Sequence, residues 1–155
     1  IDLGDNLPWT VIETPGHCPG MVSLNSKSGL LSADNVTMVG TILVPSSDGD
    51  MHQYMSGLER LSDLNPNLLF PSHGPVCAAP KKVLSRTLEH RLERHAKVFN
   101  AVKSGLNHLD EIALSAYKNA PSAPESLIRD QTLSHLKGLV KEGLVIEKGG
   151  AFTAI

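Results

Sequence analysis

Three side chains that can bind metal ions follow short apolar segments in the first half of the sequence. His17 follows a Pro-Gly turn, Asp34 ends a short strand predicted at 30–33, and His73 follows one predicted at 68–71. Polar residues that follow the strands of an α/β sheet meet at one edge, where ligands bind. Two neutral imidazoles and one carboxylate suit a borderline-soft cation such as Zn²⁺. The three residues therefore indicate a metal site, although their spacing alone also fits ordinary turn residues.

Short apolar and alternating patterns predict the elements that carry these residues. Strands are expected at residues 9–13, 21–25, 30–33, 41–44 and 68–71. A helix is predicted to begin at a capping box formed by Asp50 and Gln53. The apolar face of that helix is formed by Tyr54, Met55, Leu58 and Leu61. Strands and helices therefore alternate, which is typical of an α/β domain.

A long amphipathic helix is predicted at residues 80–104, and Gly105 is suited to end it. Its polar face carries six cations and two carboxylates, which gives this face a net charge of +4. The cations are Lys81, Lys82, Arg86, Arg91, Arg94 and Lys97. This pattern favours a solvated face with partial ion pairing between neighbouring turns, and it leaves a phosphate-facing surface as the alternative.

Residues 105–155 have the order of elements found in a winged helix. Helices are predicted at 109–117 and 127–142, and a β-hairpin is predicted to turn at residues 148–150. Between residues 103 and 155 the cations and anions balance, six against six, whereas a domain that reads DNA normally carries a basic excess. A structural or substrate-covering role for this segment is therefore favoured over sequence-specific DNA binding.

The bulk composition argues against several classes of protein. The 155 residues carry a formal net charge of -2, with 41% hydrophobic and 19% charged residues, which is typical of a globular protein. No apolar stretch approaches the roughly 20 residues needed to cross a bilayer, and no signal peptide is recognisable. The two cysteines, Cys18 and Cys77, do not make a disulfide framework. We therefore expect a cytoplasmic protein that does not act at a membrane.

Three motifs, in this order, resemble those of metallo-β-lactamase-fold hydrolases. Residues 14–21 (TPGHCPGM) resemble the TPGHTPGH signature, residues 32–35 (SADN) resemble the strand end with the aspartate, and residues 71–76 (PSHGPV) resemble the PGHGPV motif. Together with the basic helix and the tail, they resemble the lactamase-B-like-2 branch of that superfamily. The resemblance implies an α/β (α+β) fold, with the C-terminal half of an αββα sandwich followed by a winged-helix domain.

The resemblance also implies a division of the chain. Residues 1–79 would be the C-terminal half of the metallo-β-lactamase domain, residues 80–104 the connecting helix, and residues 105–155 the winged-helix domain.

The metal site and the reaction are likewise implied by the resemblance. His17 would bind the first of two zinc ions, Asp34 would bridge both, and His73 would bind the second. In the family a metal-bound hydroxide, available because the metal lowers the pKa of water towards roughly 7, hydrolyses an ester, thioester, amide or phosphodiester bond. The substrate would be a small molecule or RNA.

The sequence also departs from the family pattern. The H-x-H-x-D-H motif, which supplies further ligands and a proton-shuttling aspartate, does not occur in this chain. Met21 replaces a signature histidine, and Ala33 and Ser72 replace glycines. Alanine tolerates a positive φ less well than glycine, so the backbone before Asp34 is expected to differ slightly. We therefore expect the chain alone to be inactive, and to pair with the missing N-terminal half of the domain or with a second copy.

A binding protein is the alternative interpretation. In this interpretation the winged helix and the basic helix contact nucleic acid or a protein partner, and the metal motifs are vestigial. Cys18, beside His17, and Cys77, four residues after His73, are expected to pack rather than to bind metal. Tyr54 is expected to pack in the core rather than to line a substrate cleft.

Overall fold

A computed structural model describes residues 1–4, 7–120 and 123–155 and contains ten regular elements in these ranges. The strands are β1 Thr10–Glu13, β2 Val22–Ser26, β3 Gly29–Ala33, β4 Leu69–Pro71, β5 Val145–Lys148 and β6 Ala151–Ala154. The helices are α1 Met51–Asp63, α2 Pro80–Lys103, α3 Leu109–Ala116 and α4 Glu125–Lys141. The mixed α/β (α+β) fold class is confirmed.

The first four strands form one sheet in the order β1-β2-β3-β4. β2 is antiparallel to both β1 and β3, whereas β4 is parallel to β3. β1, β3 and β4 consequently run in the same direction, and their carboxyl ends lie at the same edge of the sheet. The three motifs that carry His17, Asp34 and His73 follow these three ends, as the sequence predicts.

Helix α1 covers one face of this sheet. Asp50 caps its first turn by accepting a hydrogen bond from the Gln53 backbone at 3.1 Å, so the predicted capping residue is confirmed. The apolar side of α1 is fully buried against the sheet and α2, and the cluster contains Leu30, Tyr54, Leu58, Leu61, Leu69 and Leu84. Burial of about 25 cal/mol per Å² of apolar surface makes this packing the main source of stability for the sheet edge that carries the motifs.

The opposite face of the sheet is partly open to solvent. Val11 is 47% exposed and Val22 is 42% exposed. Val11 pairs with Leu24 across the strands, and Leu24 pairs with Leu31, so these apolar side chains share one face. An apolar sheet face of this kind suits the predicted pairing with a further layer of protein, which stays a prediction.

The tail forms a second core with the C-terminal half of α2. Leu136 and Leu139 of α4 pack with Val98, Ile112 and Phe152 in this cluster. The order of two helices and an antiparallel hairpin agrees with the sequence, and Gly149 and Gly150 take the positive φ angles of a two-residue hairpin turn. The winged-helix description and the domain boundaries stay predictions, because α2 contributes residues to both clusters.

The predicted strand at 41–44 is wrong. This segment has no strand structure, although Ile42 and Val44 are buried. Its backbone groups bond to side chains from distant helices instead of to another strand. Gln131 of α4 donates to the Val44 carbonyl at 2.9 Å and accepts from the Val44 amide at 3.3 Å, and Arg91 of α2 donates to the Ile42 carbonyl.

Further contacts from α4 hold the loop that follows this segment. Lys137 donates to the Ser46 carbonyl at 2.7 Å, and Asp130 accepts from the Ser46 hydroxyl at 2.6 Å. Lys141 forms an ion pair with Asp50. Burial alone would raise the pKa of Asp50, but the hydrogen bonds from Lys141 and Gln53 hold it below its usual value. The tail therefore fixes the loop between the sheet and α1.

A buried histidine pair also joins α2 to α4. The Nδ1 atoms of His95 and His135 lie 3.1 Å apart, and His95 Nε2 lies 3.1 Å from a carboxylate oxygen of Glu142. Because a carboxylate accepts, His95 Nε2 donates to Glu142, and one of the two Nδ1 atoms donates to the other. The Nε2 atom of His135 is buried without a hydrogen-bond partner among the described residues.

Stability is expected to decrease as the pH falls below about 6.5, because His135 is buried in its neutral form. Burial lowers the pKa of His135 well below its ordinary value, and the charges of Arg91 and Arg94, with those of His95 and His90 when these rings are protonated, act in the same direction. The unfolded chain takes up the proton near pH 6.5 and the folded chain does not, so the free energy of unfolding decreases by up to about 1.4 kcal/mol per pH unit.

Urea denaturation at pH 7.5, 6.5 and 5.5 measures this effect. We expect His135→Gln to remove most of the additional loss between pH 6.5 and 5.5. His108→Gln, at an exposed histidine, is the matched control and should leave the dependence unchanged. Equal pH dependence in all three proteins would contradict the assignment.

Candidate metal centre

The structure places Asp34 and His73 side by side at the edge where β3 and β4 end. The distance between His73 Nε2 and Asp34 Oδ1 is 3.4 Å. Asp34 Oδ1 is buried and accepts no hydrogen bond among the described residues, since the contact with His73 is longer than a normal N–H···O bond. A buried carboxylate oxygen without a donor costs free energy, so this atom is suited to a ligand that is positively charged.

The ring of His17 is oriented by a backbone carbonyl, and His17 does not form a cluster with Asp34 and His73 in the described part of the chain. Its Nδ1 lies 2.7 Å from the Leu43 carbonyl oxygen. A carbonyl only accepts, so Nδ1 donates, and in this tautomer the lone pair of the imidazole is on Nε2. Such a bond to the second ring nitrogen orients metal-binding histidines in many proteins. The sequence could not identify this partner, because Leu43 lies 26 residues from His17.

The structure does not bring all three predicted ligands into one cluster. In the described part of the chain, no group of three or more histidine, cysteine, aspartate or glutamate side chains is close enough to hold one metal ion. Asp34 and His73 form a pair, and His17 stands separately on the turn after β1. Their roles as metal ligands therefore stay predictions.

A buried polar network under Asp34 was not predicted. The Asn35 side-chain amide donates to the hydroxyls of Thr14 and Ser23, each at 3.0 Å, and to the Ser32 carbonyl at 2.8 Å. Tyr54 donates to the Asn35 carbonyl at 2.6 Å. These bonds join the His17 turn to the Asp34 turn. Only the position of Asn35 directly after the aspartate could have suggested its role.

Tyr54 packs in the core, as expected, and Cys77 packs against the same cluster. Tyr54 is fully buried in the core, and burial raises the pKa of its phenol, so the hydroxyl remains a donor. Cys77 pairs through its backbone with Leu69, and its sulfur accepts from the Ala79 amide at 3.3 Å. Cys18 is half-buried and reduced.

The loop after Asp34 also holds His73 in place. The Met38 amide donates to the His73 carbonyl at 3.0 Å. Gly74 has a φ of 97°, and a Cβ at this position would lie 2.6 Å from the Cβ of Met38. The glycine of the third motif is therefore required both for its backbone conformation and for this close approach.

Ala33 keeps a left-handed backbone directly before Asp34. Its φ is 49°, one of two positive values at non-glycine residues in the described chain. The pairing of β3 with β4 shifts register between Leu31 and Ala33. An alanine with positive φ is strained by about 1–2 kcal/mol, because its Cβ approaches the following carbonyl. The strained residue is thus the last residue of β3, directly before Asp34.

Replacing Ala33 by glycine is therefore expected to stabilise the fold by up to about 1 kcal/mol, after the larger entropy of glycine in the unfolded chain is subtracted. Urea denaturation measures the change. Ala96→Gly, at an exposed position inside α2, is the matched control and should destabilise by about 1 kcal/mol. Loss of stability in both variants would contradict the strain at Ala33.

Comparison with known proteins finds relatives that are similar in sequence over most of this chain. No protein-family model matches the chain. It is 28% identical over 145 residues to the beta-lactamase-like protein 2 homolog of Caenorhabditis elegans, which covers 91% of this chain and 48% of that protein. It is also 28% identical over 120 residues to the probable metallo-hydrolase YqjP of Bacillus subtilis, covering 71% of this chain and 35% of that protein.

The fold matches a solved structure over the whole chain. A beta-lactamase domain protein from Burkholderia ambifaria superposes with a TM-score of 0.84 at 20% identity, over 100% of this chain and 50% of that chain. The chain spans about half the length of the curated relatives that it matches. It is thus a homologue of metallo-β-lactamase-fold proteins, and its partial coverage of them fits a C-terminal portion of that fold.

Proposed function

We propose that the whole protein is a zinc-dependent hydrolase, in which His17, Asp34 and His73 contribute to the metal site. The observation that carries this proposal is the buried, unpartnered Asp34 Oδ1, 3.4 Å from His73 Nε2. Two ligand atoms that are each about 2.1 Å from a tetrahedral ion lie roughly 3.4 Å apart, so this separation suits a shared ion. Imidazole and carboxylate are ligands that zinc accepts.

Each proposed ligand is held by a different set of bonds. The Leu43 carbonyl fixes the ring of His17, the Asn35 network fixes the turn at Asp34, and Met38 fixes the backbone at His73. A bound zinc ion would activate water and polarise the carbonyl or phosphoryl oxygen of the substrate. The bond broken would be an ester, thioester or phosphodiester bond. Residues outside this chain would complete the site, so we expect this chain alone to be inactive.

The charges of α4 do not favour a nucleic-acid-binding role for the tail. The cations of α4 already have partners within the protein, since Arg129 pairs with Asp110 at 2.6 Å, Lys137 bonds to the Ser46 carbonyl, and Lys141 pairs with Asp50. Within the part of the chain that the structure describes, no helix has the length and apolar character needed to cross a membrane.

Elemental analysis and hydrolysis assays test the proposal. The whole natural protein should contain zinc and should hydrolyse at least one of a neutral ester, a thioester and a single-stranded RNA. A chelator should abolish this activity, and added zinc should restore it. The 155-residue chain should retain little zinc and show no turnover. A whole protein without metal, or hydrolysis that is insensitive to chelation, would refute the proposal.

A further inference from the structure

A cleft of about 350 Å³ lies between α2 and the loop that follows Asp34. Its polar wall is formed by Thr37, Thr41, Arg86, Thr87, His90 and Arg91. None of the described residues that line it carries a carboxylate. A cleft with two guanidinium groups, an imidazole and no anion has a positive potential and attracts anions.

Arg91 supplies a buried charge for which the described chain offers no counter-ion. Only 3% of the residue is exposed, and the ion pairs between described residues include neither Arg91 nor Arg86. One Nη of Arg91 donates to the Ile42 carbonyl, whereas its Nε is buried without a partner. A buried charge is costly unless it is paired, so an anion in the cleft would relieve this cost.

His90 adds a hydrogen-bond donor to the cleft. Partial burial lowers the pKa of His90, and the charges of Arg91 and Arg94 lower it further. At neutral pH the His90 imidazole is therefore a neutral group that can donate a hydrogen bond beside two permanent cations. Arg86 and His90 are exposed and can move toward a ligand, whereas Arg91 is fixed by Ile42 and by the Tyr54 ring, whose centroid lies 5.4 Å from its guanidinium carbon.

The wall of the cleft is bonded to the candidate metal centre. The Thr37 hydroxyl donates to the Val39 carbonyl at 2.8 Å and lies 3.4 Å from the His73 carbonyl oxygen. The next residue, Met38, donates to the same His73 carbonyl at 3.0 Å. A group held in the cleft would thus be separated from the candidate metal centre by the loop that follows Asp34.

We propose that this cleft is an anion site, separate from the candidate metal centre, and that it binds a phosphate group. This inference goes beyond the proposed hydrolase function and does not depend on it. Phosphate is favoured over carboxylate because the two guanidinium groups and the imidazole offer more donors than two carboxylate oxygens can use. Planar guanidinium groups also bind phosphate through paired hydrogen bonds.

Phosphate titration of the 155-residue chain tests the proposal without any hydrolysis. The chain is first freed of metal by a chelator and dialysed, so that the metal centre cannot bind the probe. Inorganic phosphate is then added in 150 mM NaCl, and amide chemical shifts are followed by NMR. We expect saturable shifts at residues of the cleft, and binding of acetate that is weaker by about tenfold or more.

Charge-matched variants separate the cleft from the general charge of α2. Arg86→Gln should weaken phosphate binding by about tenfold, because one charge-assisted contact is lost at an exposed residue whose replacement spares the fold. Arg91→Lys, which keeps the charge but loses the planar fork, should weaken it similarly, and circular dichroism checks that this variant is folded. Lys97→Gln removes one charge from the same helix outside the cleft and should change binding less than twofold.

The outcomes distinguish this inference from the proposed function. Equal weakening by Arg86→Gln and Lys97→Gln, the absence of saturable shifts, or acetate binding as tight as that of phosphate would overturn the phosphate site. Saturable binding that depends on Arg86 and Arg91 supports the site even if the whole protein proves to lack zinc or activity, in which case only the hydrolase proposal fails.

Discussion

Replacing Asp34 by asparagine is expected to lower the zinc content of the whole protein and to reduce kcat/KM by at least about 100-fold. Asparagine keeps the volume of the side chain but removes its charge, and a neutral amide is a poor zinc ligand. Because Asp34 Oδ1 accepts no hydrogen bond from the described residues, the substitution removes no bond that stabilises the fold. Zinc content and activity should therefore fall while thermal stability of the metal-free protein changes little.

Two further variants make this result specific. Asp63→Asn removes an exposed carboxylate at the end of α1 and should leave zinc content and kcat/KM unchanged. His73→Gln should resemble Asp34→Asn, since the two side chains are neighbours at 3.4 Å. The double variant should then be little worse than either single one, because groups that act on the same ion are not additive. Full zinc occupancy in Asp34→Asn would exclude this aspartate as a ligand.

Much of the fold could be predicted because its signals are local. The capping box at Asp50, the apolar stripe of α2 and the paired glycines of the last hairpin act within a few residues of one another. The common direction of β1, β3 and β4 follows from two successive antiparallel connections, β1 to β2 and β2 to β3, and from one helical crossover between β3 and β4. These elements suffice to predict that the three motifs lie at one edge of the sheet.

The segment 41–44 shows where local signals fail. Its sequence, TILV, is typical of a buried strand. In the structure its backbone groups bond instead to Gln131, Arg91 and His17, which lie between 26 and 87 residues away in the chain. No short-range pattern contains this information. The same holds for Asn35, whose network depends on hydroxyl groups 12 and 21 residues away.

These distant bonds give the tail a structural role beside the site. Gln131 of α4 holds Val44, and the neighbouring Leu43 carbonyl fixes the ring of His17. The orientation of a proposed metal ligand thus depends on a helix of the tail through one short segment of backbone. This coupling agrees with the structural role favoured for the tail from its charge balance.

Gly16→Ala is expected to destabilise the fold by about 3–5 kcal/mol, the largest effect among the stability variants considered. Gly16 has a φ of 148°, and a Cβ at this position would lie 2.4 Å from the Cα of Tyr54. The clash is with backbone in the middle of the core, so no side-chain rotation can relieve it. Gly16 also accepts a hydrogen bond from the Asp50 amide at 2.7 Å, which links the His17 turn to the start of α1.

Gly20→Ala, in the same motif, is the matched control for this prediction. Gly20 has no positive φ, and a Cβ there would meet no atom within 4 Å, so urea denaturation should detect a change of less than about 0.5 kcal/mol. If the two variants were equally stable, the close packing of the His17 turn on Tyr54 would be wrong. A large loss of stability in Gly16→Ala but not in Gly20→Ala would support this packing. It would mean that only the first glycine of the motif is required for the close contact that positions His17.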